Sequence, residues 1–331
     1  MTLDGIDFVI PWVDGSDPEW QASYKAYSSL EDRRFNYNGE RYRDWGLLRY
    51  WFRGVEKYAP WVRTIHFVTC GQVPDWLNLN HPKLHFVRHS DYIPPEYLPT
   101  FSSHPIELNF HRIPGLAKHF VYFNDDMFLS APVQPSDFFK NGIPRDFAIR
   151  GFVALGTTGQ VNMNDVNLIN AHFNFQKSYK ENIGKWYSLK YGLQVLRNLY
   201  FSPYKDFTGT HLYHLASSFL KSTYIEAWEA CEKELAETCR HRFRNRADVN
   251  QWLFNYWQIV SGNFFPQDRR FGRYFTMDQT DGYEYVLKKR SAKIICLNDV
   301  GLSDFKILQP RVLAIFRRAF PKRSSFETFD E

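Results

Sequence analysis

The sequence predicts an α/β fold built on a mainly parallel sheet, with a helical insertion and a helical C-terminal part. Three observations carry this expectation. Short apolar or aromatic runs (Ile6–Ile10, Ile65–Thr69, Leu84–Val87 and His119–Phe123) each end in polar turn formers, as strands of an open sheet do. A helical spacing of Trp45, Leu48, Phe52, Val55 and Ala59 lies between the first two runs, and strands alternating with helices form parallel sheets. From about Thr157 to Phe207 the pattern changes to Asn, Tyr and Lys with apolar residues at helical intervals, such as Trp186, Leu189, Leu193 and Leu196.

In chain order, Ile6–Ile10 runs into Pro11-Trp12-Val13-Asp14-Gly15-Ser16-Asp17-Pro18, a loop with two carboxylates at the sheet edge where open α/β sheets bind ligands. Asp44 is expected to cap the first long helix, and Pro60 to end it. Ser102 or Ser103 caps a short helix with Pro105 in its first turn, which is expected to carry Glu107 and His111 on one face. The strand His119–Phe123 delivers Asn124-Asp125-Asp126. Leu215–Leu235 and Val249–Val260 are expected helices. Lys293–Leu297 is a last strand, ending in Asn298-Asp299, and Pro310 is expected to open a final helix.

The expected organisation is an α/β core over 1–150, a helical insertion or lid over 151–208, completion of the core over 209–305, and a basic amphipathic helix with its tail over 306–331. A length of 331 residues suits one large unit with an insertion. Aromatic residues make up 18% of the chain, and most are expected in the core, though such rings also stack on sugars and bases. The 41 basic and 36 acidic residues leave a mild positive excess that fits an anionic substrate or a membrane surface. Zinc-finger spacing, aromatic RNA-binding motifs and a long basic arm are missing, which argues against nucleic acid as a partner. Cys70, Cys231, Cys239 and Cys296 fit no disulfide or metal-knuckle spacing, and the first eight residues hold acids where a signal peptide has a basic region. No apolar run approaches the roughly 20 residues of a membrane span. The expected setting is therefore cytoplasmic.

Asn124-Asp125-Asp126 is the sharpest chemical signal. Adjacent carboxylates repel one another, and a divalent cation with hard oxygen preference, Mg²⁺ or Mn²⁺, relieves that repulsion; a solvated turn is the alternative. Asp14 and Asp17 divide in the same way between turn residues and ligands. His211 and His214 in Gly209-Thr210-His211-Leu212-Tyr213-His214 are candidate proton acceptors. Arg242, Arg244 and Arg246 form a short basic run suited to phosphate or to solvent.

Together these segments resemble the Stealth family of hexose-1-phosphate transferases, which spans bacterial capsule enzymes and the animal enzyme that tags lysosomal hydrolases. Four blocks carry the resemblance. The first is Ile6-Asp7 through Trp12-Val13-Asp14-Gly15-Ser16-Asp17. The second includes Arg43-Asp44, Leu48-Arg49-Tyr50, Ala59-Pro60-Trp61-Val62-Arg63, Gly71-Gln72-Val73-Pro74, Thr100-Phe101-Ser102-Ser103, Ile106-Glu107, His111-Arg112-Ile113 and Asn124-Asp125-Asp126. The third starts at His211 and includes Arg244 and Asp248, and the fourth is Ile295-Cys296-Leu297-Asn298-Asp299. Bacterial members commonly have Pro and a small residue after the first His of the third block, where this chain has Leu212 and Tyr213. His211 is favoured over His214 because Arg244 and Asp248 then fall at about the family distance.

The resemblance implies a Rossmann-like, nucleotide-sugar-binding fold related to the GT-A enzymes. It implies transfer of a sugar-1-phosphate from a nucleotide-sugar, most readily a UDP-hexose or UDP-N-acetylhexosamine, to a hydroxyl of an oligo- or polysaccharide acceptor, with release of nucleoside monophosphate. A GT-A-type glycosyltransferase releasing nucleoside diphosphate is the alternative. On this basis Asp125, Asp126 and Asp299 are expected to hold Mg²⁺ or Mn²⁺. Trp12, Asp14, Arg43, Glu107, Arg112 and Asn298 are expected to bind substrate, and Asp17, His211, Arg244 and Asp126 to act in catalysis. Because bacterial members build polymers at the inner face of the plasma membrane, the C-terminal helix is a candidate peripheral anchor. Its apolar face is Val312, Leu313, Ile315, Phe316, Ala319 and Phe320, flanked by Arg311, Arg317, Arg318, Lys322 and Arg323.

Overall fold

A computed structural model describes residues 5–29, 42–153, 156–211, 213–300 and 304–329. The main sheet has five strands, in the spatial order Leu84–Arg88, Ile65–Thr69, Ile6–Pro11, His119–Tyr122 and Ser217–Leu220. Strands β1 (Ile6–Pro11), β2 (Ile65–Thr69), β3 (Leu84–Arg88) and β4 (His119–Tyr122) run parallel, so the α/β expectation with a mainly parallel sheet holds. Parallel neighbours need a crossover, and the helix Leu48–Tyr58 supplies the one between β1 and β2. It begins after Leu47, three residues beyond the expected cap. The Asp44 carboxylate instead accepts from the Gly46 N–H at 2.7 Å, closing a local turn ahead of the helix.

β1 is buried along nearly its whole length and carries a buried acid, Asp7. Its carboxylate accepts from Arg63 through Nε (2.7 Å) and Nη2 (2.5 Å), from His66 Nε2 (2.9 Å) and from the Ala117 N–H (2.8 Å). Burial alone raises the pKa of a carboxyl, but His66, Arg63 and Ala117 outweigh it and hold Asp7 below the usual range. A depressed folded-state pKa contributes stability that is fully present above the unfolded value, about 4, and is lost as pH falls through the folded one. Asp7→Asn is therefore expected to cost about 3 kcal/mol at pH 7, because Arg63 and His66 lose their buried partner. The gap in Tm between wild type and variant should narrow below pH ~4. A gap that stays constant from pH 7 to pH 3 would remove the ion pair from the argument.

The sheet is closed on the β4 side by β8 (Ser217–Leu220), which pairs antiparallel with β4 in the register Phe120↔Phe219. A continuous helix was expected over Leu215–Leu235. The sequence Ser-Ser-Phe-Leu instead completes the sheet edge, and helices follow at Lys221–Ala230 and Glu232–Arg240. The other expected helix is found at Trp252–Val260. Glu107 and His111 also separate. The helix Ser103–Leu108 ends before His111, which falls in the 3₁₀ turn Phe110–Arg112.

A second, three-stranded sheet decides where the chemistry lies. β5 (Met127–Leu129), directly after the Asn124-Asp125-Asp126 turn, pairs antiparallel with β11 (Ile294–Asn298), which pairs in parallel with β10 (Gly272–Thr276). The acidic turn thus joins the two sheets, and the ends of β1, β4 and β11 open together. A third small sheet joins β6 (Phe139–Lys140), β7 (Ile143–Asp146) and β9 (Phe265–Pro266).

The C-terminal helix runs from Phe305 to Ala319, with Pro310 inside it and not at its start. Its first turns are largely exposed, so water can solvate the carbonyl that a proline ring leaves without an N–H. Val312, Ile315, Phe316 and Phe320 are buried against the core, with the Phe316 ring packed on Tyr50 and Phe128. Arg311 and Arg318 pair with Asp281 and Glu284 of the neighbouring helix Thr280–Lys289. The apolar face proposed for a headgroup layer is therefore occupied within the protein, which corrects the membrane role expected of this helix. Beyond it, the buried Glu327 accepts from Arg53 (2.9 and 2.7 Å), Arg49 (3.3 Å) and the Ser324 N–H (2.8 Å), tying the tail to the crossover helix. Among the described residues no helix is long and apolar enough to cross a membrane, and the four cysteines are all free.

Candidate active site

The turn at 124–126 is set by hydrogen bonds on both sides. Phe123 N–H donates to the Val9 carbonyl at 2.9 Å, Met127 N–H to the Asn124 carbonyl at 3.1 Å, and Leu297 N–H to the Asp126 carbonyl at 2.8 Å. Asp126 Oδ2 lies 3.3 Å from His214 Nε2 and accepts from the Cys296 thiol at 3.3 Å. Asp126 Oδ1 is buried and has no hydrogen-bond partner. Donor atoms of Asp126, His214 and Cys296 all lie within 4.8 Å of one another. Asp125 sits at the mouth of this recess. Solvent reaches it, yet the enclosing protein and then the Asp126 and Asp44 carboxylates push its pKa up to about 7. Partial desolvation works against protonation of His214, but the Asp126 carboxylate outweighs it and moves the imidazole above its ordinary value.

Behind the turn, the Tyr122 hydroxyl lies between Glu107 Oε1, at 2.8 Å, and the Asn124 side-chain oxygen. One hydroxyl proton cannot serve both oxygens, so a proton on Glu107 would complete the set. Burial pushes the Glu107 carboxyl up to about 7, opposed by the Tyr122 hydrogen bond and the positive charge of Arg244. Arg244 donates to Ser103 Oγ at 3.0 Å on the same side.

Between the loop after β1 and the start of the helix Leu48–Tyr58 opens a cleft of ≈480 Å³, within the size of small-molecule sites. Its lining includes Trp12, Asp14, Asp17, Asp44, Asp75 and Arg49. Gln72 fixes the Asp14 peptide from both sides, accepting from its N–H at 2.9 Å and donating to its carbonyl at 2.8 Å. Asp14 raises the pKa of Asp44, after burial, and Asp44 raises that of Asp125. Asp44, on the wall of the cleft, is thus the carboxylate whose charge is felt both there and at Asp125.

Several expected site residues fall elsewhere. Asp17 caps the helix Pro18–Tyr27 by accepting from the Trp20 N–H at 2.7 Å, although it also lines the cleft. His211 is not part of the acid cluster. Its backbone bonds Ile149, its ring packs on Tyr213, and burial followed by the Arg197 charge lowers its pKa. Three residues later the chain brings His214 to Asp126 instead. Leu212, one of the intervening residues, lies outside the described residues. Asp299 does not join the Asp126 donors; it accepts from Arg43 (3.1 Å) and from Trp45 Nε1 (3.0 Å), so Arg43 and Asp299 neutralise one another. Arg112 lies over the Trp228 ring, 5.0 Å from its centroid. Asn298 donates to the Tyr274 hydroxyl at 2.7 Å at the end of β11.

Two participants were not picked out beforehand. Cys296 shares a strand face with Asn298 by the two-residue alternation, which was the available signal. Tyr122 gave none, since aromatic residues fill the whole strand. Asp248, read only as part of a motif, is a buried acceptor for His104 Nδ1 (2.8 Å) and His241 Nδ1 (2.7 Å) that holds the loop bearing Arg244.

A mainly parallel sheet with an acidic turn at a strand end, and a histidine and a thiol against that turn, has the form of an α/β enzyme. Residues 4–31 match conserved region 1 of Stealth proteins (CR1), and residues 41–146 match conserved region 2 (CR2). The chain is 41% identical to the capsular polysaccharide phosphotransferase WcwK of Streptococcus pneumoniae, over 98% of this chain and 99% of that protein. It is 39% identical to the receptor polysaccharide phosphotransferase WefC of Streptococcus oralis, over 98% and 100%. With the exopolysaccharide phosphotransferase cps2G of Lactiplantibacillus plantarum it shares 36% over 97% and 96%. The protein belongs to the Stealth family of capsular and exopolysaccharide phosphotransferases. Among solved structures, the galactosyltransferase LgtC in complex with donor and acceptor sugar analogs aligns over 96% of this chain and 98% of that one, at 10% identity and a TM-score of 0.42.

Proposed function

We propose that the protein transfers a sugar-1-phosphate from a nucleotide-sugar, a UDP-hexose or UDP-N-acetylhexosamine, to a hydroxyl of a glycan acceptor, releasing nucleoside monophosphate. The product is a phosphodiester-linked capsular or cell-surface polysaccharide. The observation that carries this reading is the gathering of acids, with Asp14, Asp17, Asp44 and Asp75 on the cleft and Asp125 and the unpartnered Asp126 Oδ1 in the turn. A diphosphate cannot approach so many carboxylates unless positive charge is brought with it. The buried, unpartnered Asp126 Oδ1 beside Asp125 fits Mn²⁺ or Mg²⁺, while the other Asp126 oxygen faces His214 and accepts from the Cys296 thiol, a poor ligand for a hard ion. Bound there, the ion would neutralise diphosphate oxygens.

The remaining roles fall to the chain itself. Trp12, Asp14 and the backbone clamped by Gln72 hold the nucleotide-sugar in the cleft. Arg244, placed by Asp248 and Ser103, meets phosphate oxygens. His214 takes the proton of the attacking hydroxyl, and Asp126 stabilises the imidazolium that results. The hydroxyl oxygen bonds to the phosphorus next to the sugar, the bond from that phosphorus to the nucleotide's phosphate oxygen breaks, and the anomeric bond is untouched. Phosphoryl transfer of this kind depends on positioning and charge neutralisation.

The test is the identity of the leaving nucleotide. With UDP-sugars, Mn²⁺ or Mg²⁺ and an acceptor oligosaccharide, UMP is expected together with a phosphodiester in the product. Release of UDP with a glycosidic product would replace this reading with glycosyl transfer.

A further inference from the structure

We propose that residues 189–200 form a membrane-docking surface that seats the enzyme on an anionic lipid bilayer. This segment comprises the 3₁₀ stretch Leu189–Gln194 and the helix Val195–Tyr200. Its inward side is pinned. Tyr191 and Asn198 are fully buried, and Asn198 donates to the Ala148 carbonyl at 2.8 Å and accepts from the Arg150 N–H at 2.6 Å. Beyond the kink at Gly192, Leu193, Leu196, Leu199 and Tyr200 recur at about one helical turn and share an outward face, and Leu189 stands exposed just before the kink. Leu189 is 93% exposed and Leu193 80% exposed. Leucines held this far out on an anchored scaffold are not slack loop residues, and a clustered apolar surface of this kind marks an interaction site.

Charge selects the occupant. Residues 176–206 hold six basic side chains (Lys177, Lys180, Lys185, Lys190, Arg197 and Lys205) and two acidic ones (Glu181 and Asp206). Lys185 and Arg197 donate to the Gly262 and Arg150 carbonyls at 2.6 and 3.2 Å, and Lys177, Lys180, Lys190 and Lys205 are exposed. Apolar side chains within a basic surround match a bilayer interface, where leucines enter the acyl boundary and ammonium groups meet lipid phosphates. The same charge opposes two copies of the chain meeting through this face. This surface takes the place of the C-terminal helix, whose apolar residues are inside the core.

The test is co-sedimentation of the full chain with vesicles. Wild type is expected to pellet with phosphatidylglycerol-containing vesicles and to stay in solution with pure phosphatidylcholine or in high salt. Replacing Leu189, Leu193, Leu196 and Leu199 by serine should cut binding at least about tenfold. Lys177→Gln, Lys190→Gln and Lys205→Gln together should cut it roughly a hundredfold. Both variants should keep the wild-type Tm and turnover of a soluble oligosaccharide. The proposal fails if wild type does not bind anionic vesicles, or if the serine variant binds as well as wild type, the surface then reading charge alone. It fails equally if light scattering finds a dimer that the serine variant converts to monomer.

Discussion

Asp126→Ala is expected to lower kcat by about three orders of magnitude, or ~4 kcal/mol of barrier. The substitution removes the carboxylate that faces His214 and Cys296 and leaves the diphosphate charge without its counterpart. Excess EDTA should abolish wild-type turnover, and Mn²⁺ or Mg²⁺ should restore it. Tm of the variant should stay close to wild type, because one oxygen of Asp126 has no hydrogen-bond partner and the other is shared with exchangeable donors. His214→Ala should approach the same loss of kcat with little change in donor KM, while His211→Ala should be nearly silent. Asp299→Ala should weaken the packing around Arg43 and Trp45 but leave the metal requirement in place. Full turnover of Asp126→Ala in EDTA would remove the cation from the mechanism. Damage from His211→Ala with a silent His214→Ala would return the proton-accepting role to the earlier histidine.

Removing residues 306–331 is expected to unfold the protein and not merely to release it from a surface. The segment buries Val312, Ile315, Phe316, Phe320 and Phe326, each with about 1.5–3 kcal/mol of burial free energy. Five such side chains approach the entire net stability of a typical protein, about 5–15 kcal/mol. The cut also strips Arg53 of Glu327, leaving a buried guanidinium without its carboxylate. The expected result is insoluble or unfolded material by circular dichroism. A folded, active truncation would show that the core closes without this helix.

The strands of the parallel sheet were legible because each is a short apolar run with a polar stop, and the helix before Pro60 because its apolar period is 3.6. Errors gathered where a local signal had two meanings. Ser217–Leu220 follows helix-like spacing yet meets an open sheet edge at β4, and pairing wins over pattern. Asp44 precedes an apolar run as a cap would, but its carboxylate reaches only Gly46. At the site, Asp125 and Asp126 stood out as adjacent charges. Their partners did not, since Cys296 and His214 approach from positions 170 and 88 residues away. Asp299 shows the limit from the other side: a carboxylate in the expected block, at the expected strand end, paired with an arginine and a tryptophan instead. Sequence spacing assigns a residue to a strand end. Which neighbour that residue meets is decided by contacts between distant parts of the chain.

The bond between Arg53 and Glu327 joins positions 274 residues apart, and that separation imposes an order in time. On the ribosome, the helix Leu48–Tyr58 emerges long before the segment that covers it. Its Tyr50 and Phe52 rings lack part of their cover until Phe316 and Phe326 have been synthesised. Contacts of such long range are slow to form, and surface left open in the interval invites aggregation. At about 5–20 residues per second, the wait lasts from roughly fifteen seconds to a minute. Chaperone dependence during synthesis, disappearing once the tail has docked, follows from where this one carboxylate lies along the chain.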